Sequence, residues 1–246
     1  MFSRKLLPIV IMVMSFFACG VLPEQNTFET FSNTVELGVL GNKKKSIYKT
    51  NFEVSSIPYY KKFIKVSVTE KSFTKKIYKE YQKVIKETGV SEEFKYVDSL
   101  KIKPKFMDLI IEDKALVIES LNDLDNINVK NYTRNMPKTK IVSGLRFVFQ
   151  NNVKEDFKKA DALYFRTDQQ KKQTIYLFKN GKQIAVLDTS KAFIFGVKLS
   201  SFCWGGIDAE KIGFVSLVSD GENCTIQSNR DPKKLEKKHK KNYFNY

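Results

Sequence analysis

The chain has 246 residues, 42% of them hydrophobic and 13% aromatic, enough for a substantial core and too apolar for wholesale disorder. Its 43 Lys and Arg against 27 Asp and Glu give a net charge of +16, which favours polyanionic neighbours or a solvated, lysine-rich surface. The single histidine, His239, excludes any mechanism that needs two and argues against a histidine-dependent triad.

The N-terminus reads in three zones. Arg4 and Lys5 are positive, Leu6 to Ala18 is apolar, and small Ala18 precedes Cys19. That is the layout of an export signal, too short to cross a bilayer as a helix of about 20 residues. An ordinary signal peptide ends with small residues at −3 and −1, and Phe16 at −3 does not fit that rule. The stretch "FFACG" resembles instead the lipobox of bacterial lipoproteins, in which Leu is usual where Phe16 stands. The resemblance covers about twenty residues and carries no fold. It implies cleavage after residue 18, covalent lipid (a palmitate-type acyl anchor) on Cys19, and attachment to the outer membrane, on its periplasmic or cell-surface face. Loss of residues 1–18 leaves a charge of +14. Two or three acyl chains anchor stably without a transmembrane helix, since each buried CH₂ adds about 0.8 kcal/mol. Residues 19–45 lack sustained periodicity and read as a tether, docking in part through Phe28, Phe31 and Leu37.

Residues 46–229 read as one globular α+β domain, predominantly an antiparallel β-sheet with one or two packing helices and a β-rich C-terminal half. "FIKVSVT" (Phe63 to Thr69) alternates as a half-buried strand. Phe73, Ile77, Tyr81, Val84 and Ile85 then mark a helical face opposite lysines, with Ser72 as N-cap and Gly89 as stop. A strand is expected through Ile102, interrupted by Pro104, and another over Phe106 to Ile111, ending at a Glu112-Asp113 turn. Lys114 to Leu121 fits a strand or a short helix, and the Asn-rich stretch 122–139 reads as a loop. Thr139 to Gln150 is a strand with Gly144 as a bulge candidate. "VKEDFKKADALYFR" starts helical and ends in an apolar strand. "QTIYLFKNGKQIAVLD" places Asn180-Gly181 between two apolar runs, the signature of a two-residue type I′ hairpin. "AFIFGVKLSSFCW" and "KIGFVSLVS" add two more strands.

Cys203 ends one of these strands and Cys224 follows the next, so antiparallel pairing returns the two thiols to one level. An even pair in an exported chain is expected to form a disulfide, with two separate buried thiols as the alternative. Trp204 is either core packing beside that bridge or an aromatic contact for a sugar or a protein. Glu92-Glu93, Glu112-Asp113 and Asp123/Asp125 sit in turn-like contexts and make poor catalytic pairs; no metal site, cofactor, phosphate loop, GxSxG or HExxH is legible. "DSL" (Asp98 to Leu100) resembles the O-glycosylation sequon of Bacteroidota envelope proteins, which implies Ser99 as an acceptor. Residues 230–246 form a basic tail whose Tyr243, Phe244 and Tyr246 are candidate contacts for a partner or an anionic surface.

The expectation is therefore a non-enzymatic, outer-membrane-anchored lipoprotein, an accessory or structural subunit of a cell-envelope assembly. Its partners would be other envelope proteins, with anionic lipid or polysaccharide as further candidates and nucleic acid not among them. A glycan- or ligand-binding lipoprotein, an envelope hydrolase and an inhibitor of a periplasmic toxin are the alternatives.

Overall fold

A computed structural model of the protein describes residues 28–31, 33, 35–47, 50–90, 94–149, 153–168, 170, 172–187, 192–207 and 211–243. Its frame is an antiparallel sheet of eleven strands: β1 (Phe28–Glu29), β2 (Leu40–Lys45), β3 (Thr50–Ser56), β4 (Ile64–Ser72), β5 (Lys105–Ile111), β6 (Lys140–Phe149), β7 (Ala162–Thr167), β8 (Gln173–Lys179), β9 (Lys182–Leu187), β10 (Ala192–Gly206) and β11 (Ile212–Ser219). The order is β1-β10-β6-β5-β4-β7-β8-β9, with β11 paired to β10, β2 to β6, and β3 to β2. Five α-helices accompany it among the described residues: α1 (Lys75–Thr88), α2 (Lys114–Asn122), α3 (Ile127–Asn135), α4 (Val153–Lys159) and α5 (Pro232–Tyr243). The sheet-rich α+β character thus holds, but one or two helices was an underestimate.

The central strands are buried on both faces, which is why they read as continuous apolar runs rather than alternating ones. In β5, Met107, Leu109 and Ile111 enter the main core together with Leu145 and Phe147 of β6 and Val197 and Leu199 of β10. Phe106, Val148 and Phe195 instead join a second cluster beneath α1, with Phe73, Tyr78, Tyr81 and Val84. Asp108 and Arg146, in register across β5 and β6, share that second side. The bulge expected near Gly144 is present: Gly144 pairs with Lys198 and Val142 with Leu199, leaving Ser143 unmatched.

The local signals of α1 hold at one end and shift at the other. Gly89 adopts φ 71° and donates to the Ile85 carbonyl, the left-handed stop expected of it. The N-cap is Thr74, whose Oγ1 accepts from Ile77 N, and not Ser72, because β4 runs through Ser72 and Phe73 N donates to Pro104 O. Phe73 then precedes the cap and packs edge-on to Tyr78, a hydrophobic staple. The Asn180-Gly181 hairpin is as read: both residues have positive φ, 50° and 73°, and join β8 to β9.

Two expectations fail for tertiary reasons, and an open one is decided. Residues 94–104 form no strand; Phe94 and Tyr96 pack against the second cluster instead. The Asn-rich stretch 122–139 holds a 3-10 turn (Leu124–Asn126) and then α3. Asn126 is its hinge: buried at 1% exposure, it donates to the carbonyls of Tyr59 and Ser120 and accepts from Tyr59 N. Polar composition looked like a loop because Tyr59, which both donates to and accepts from Asn126, lies 67 positions away. Lys114 to Leu121 resolves as α2, capped by Asp113.

Residues 28–45, expected within the tether, are structural. β1 pairs with β10, β2 forms a hairpin with β3, and Phe31, Val35, Leu37, Val39 and Leu40 are core residues. Gly38 turns the chain there at φ 78°, its carbonyl accepting from the Tyr60 hydroxyl. Burial pushes that Tyr60 phenol above its ordinary range.

Candidate functional site

On β4, β7, β8 and β9 the alternation of a strand sorts two sets of residues. Ile64, Val66, Phe165, Ile175, Leu177 and Leu187 face the main core. The other parity faces out, and it is aromatic. Tyr164 pairs with Tyr176 and Ala162 with Phe178 across β7 and β8, and Tyr176 pairs with Val186 of β9. Phe63, just before β4, lies among them, its ring centroid 6.1 Å from Tyr164, 5.2 Å from Tyr176 and 5.6 Å from Phe178. All three contacts are edge-to-face, the favoured arrangement for ring quadrupoles. Phe63, Ile184 and Val186 remain 37%, 42% and 50% exposed, Tyr164 and Phe178 are half-buried and Tyr176 is buried, so the layer is open to solvent in part.

Arg166 adds charge to this face. Its guanidinium lies 4.5 Å from the Phe63 ring centroid and 5.2 Å from that of Tyr176. It makes no ion pair among the described residues, and its Nε, removed from water, has no acceptor there. The nearby charges are already committed. Asp168 accepts from the backbone N–H groups of Lys172 and Gln170 and from the Thr174 hydroxyl; these bonds, that of Lys172 foremost, lower its pKa. Lys61 is paired with Asp125, which raises its pKa. Arg166 and Tyr176 form one wall of an open cleft of about 560 Å³ that also takes in Tyr59, Lys61, Thr167, Asp168 and Gln170. Tyr59 and Tyr176, a guanidinium without an ion pair among the described residues and polar walls suit a partner that brings a flat apolar surface and a carboxylate or phosphate.

The residues singled out from the sequence fall elsewhere. Cys203 and Cys224 are disulfide-bonded, Cα to Cα 5.7 Å, next to paired strands β10 and β11. Trp204 is not a surface contact: it is 1% exposed, 4.3 Å from the Phe214 ring, and bridged on both backbone groups by Asn229. The chain after Cys224 folds back over it, which local sequence does not reveal. Ser99 lies exposed in a turn closed by Leu100 N and Val97 O. Tyr243 is the last residue of α5, while Cys19, Glu92, Glu93, Phe244 and Tyr246 lie outside the described residues. Glu112 pairs with Lys65, Asp113 caps α2 and Asp125 pairs with Lys61, so these acids have structural work.

Comparison with protein-family models, curated proteins and solved structures finds no match. No helix of the described residues is long and apolar enough to cross a membrane.

The sequence reading did not single out Phe63, Tyr164, Arg166, Tyr176 or Phe178. "ALYFR" and "TIYLF" are apolar at both parities, so neither run states which side faces water. The Asn-Gly turn signals only the pairs beside it, Lys179 with Lys182 and Phe178 with Gln183; a bulge then shifts the register and puts Val186 opposite Tyr176.

Proposed function

We propose that the protein is a non-enzymatic lipoprotein, held at the outer membrane through lipid on Cys19, that serves as an accessory subunit of a cell-envelope assembly. It docks its partner through the outer face of β7, β8 and β9. The observation that carries this reading is the layer of exposed Phe63, Ile184 and Val186 with half-buried Tyr164 and Phe178 on the face that bears Arg166. Contiguous apolar surface rimmed by polar groups marks interaction sites, and Tyr, Phe and Arg are the residues enriched in them. The reading is tested by mild-detergent purification from native membranes, with the wild type and a Val186→Asp variant compared. Stoichiometric partners are expected with the wild type and at least ten-fold less of them with the variant, at unchanged circular dichroism. A wild-type protein recovered as a lone monomer would overturn it.

Arg166 favours a second reading, that the face takes an acidic saccharide. Sugar rings stack on aromatic faces through their C–H groups, and a uronic carboxylate would satisfy the open guanidinium. Titration with oligosaccharides separates the two. Binding of uronate-containing chains that is lost in Arg166→Leu supports the saccharide, and no binding across the panel removes it.

A further inference from the structure

We propose that the lysine face of α1 is the surface on which the domain rests against a membrane, and that it takes anionic lipid headgroups. At about 100° per residue, Lys75, Lys76, Lys79, Lys83 and Lys86 fall within one arc of about 100°, opposite the buried Tyr78, Tyr81 and Val84. All five lysines are exposed. The helix sets two acids against these five lysines: Glu80, 3.9 Å from Arg146, and Glu87, 3.9 Å from Lys83. Residues 94–104 run alongside, their Phe94 and Tyr96 packed on Tyr78, and present exposed Lys95 and Lys101 with Asp98 at the margin.

The entry of the chain lies on the same side. Phe28 stacks at 4.3 Å on the guanidinium of Arg146, the residue that reaches Glu80 of α1. Cys19 is nine residues before Phe28, so the connection spans at most about 32 Å. A folded body of this size has a radius of gyration of about 17 Å and a diameter of about 45 Å. If Cys19 carries lipid, as proposed above, a connection of that length keeps β1 off the side of the body farthest from the bilayer. The lysine face then supplies a second, electrostatic signal to the acyl anchor, worth about five-fold in membrane affinity per lysine.

The test uses the full chain purified from membranes, with an environment-sensitive fluorophore on Lys79→Cys or, for comparison, on Ile184→Cys. Each is added to vesicles of phosphatidylcholine alone or with phosphatidylglycerol, and quenching by aqueous acrylamide is read. The expected result is shielding at position 79 on anionic vesicles only, lost at high salt and weakened about 100-fold in lipid titration by Lys75→Glu/Lys76→Glu/Lys83→Glu, while position 184 stays open. Equal quenching at position 79 on both vesicle types overturns the proposal. Flotation with neutral vesicles reports the acyl anchor separately. Shielding without such flotation would sink the anchor and leave the lysine face standing.

Discussion

Asp108 sits in the apolar run "KFMDLII", 2% exposed, where a lone carboxylate would be very costly. It persists because Arg146, 4% exposed, donates to it twice, Nε to Oδ1 at 2.7 Å and an Nη to Oδ2 at 3.0 Å. Asp108→Ala leaves a buried guanidinium short of its counter-charge and is expected to lower unfolding free energy by about 3–5 kcal/mol in urea titration. The double change Asp108→Leu/Arg146→Met should cost far less, since it removes both charges. Asp220 behaves differently because it is partly exposed. Burial opposes its charge, but hydrogen bonds from Lys140 and Lys43 outweigh that and hold its pKa at about 2, against 3.8 unfolded. A depressed carboxylate stabilises above the unfolded value and loses that contribution as pH falls toward 2. Asp220→Asn should therefore destabilise by about 1 kcal/mol at pH 7, after allowance for solvent screening, and progressively less as pH falls through about 2. Chemical denaturation at both pH values checks it. The sequence reading did not single out Asp108, although it lies in an apolar run. It gave no sign of Arg146, 38 positions later, because sheet register supplies the pairing.

At the level of elements, the legible features were those whose cause is local. Asn180-Gly181 permits the positive φ of its turn, and Gly89 permits the left-handed stop of α1. The Cys203–Cys224 bridge belongs here too, since it follows from two consecutive antiparallel strands. It closes a loop with a sequence separation of 21, for which chain entropy gives about 3 kcal/mol. Cys203→Ser/Cys224→Ser should lower the urea midpoint by that equivalent, and a change under about 1 kcal/mol would show that the surrounding β10 and β11 packing suffices. What failed at this scale were elements made by distant partners. Thr74 caps α1 because β4 occupies Ser72, and α3 forms where Asn126 is gripped by Tyr59.

Across the whole molecule, the segment from Phe28 to Lys45 shows how topology outweighs composition. Its Gly, Asn and Ser content and lack of period suggested a tether, yet it lays two strands and five core side chains into the sheet. Leu37→Ala would cost little in a tether that docks only in part. In a core position 2% exposed it should cost about 2–5 kcal/mol, measurable as a shift in thermal or urea unfolding. The candidate binding face has the same origin. Its aromatic residues come from β7 and β8 and from the residue before β4, and they meet because β4, β7, β8 and β9 are neighbours in one sheet. Trp204, the conspicuous aromatic of the sequence, went to the core for a matching reason: the C-terminal chain returns across β10.

By itself, the sequence determined what short-range chemistry controls: a sheet-rich α+β chain, the positive-φ turns at Gly89 and Asn180-Gly181, the basic balance and the even cysteine pair. Only the tertiary structure decided which parity of an apolar strand meets water, which charges are buried as pairs, and which aromatics are shared between strands. Those depend on register and on contacts between residues tens of positions apart, and no local pattern encodes them.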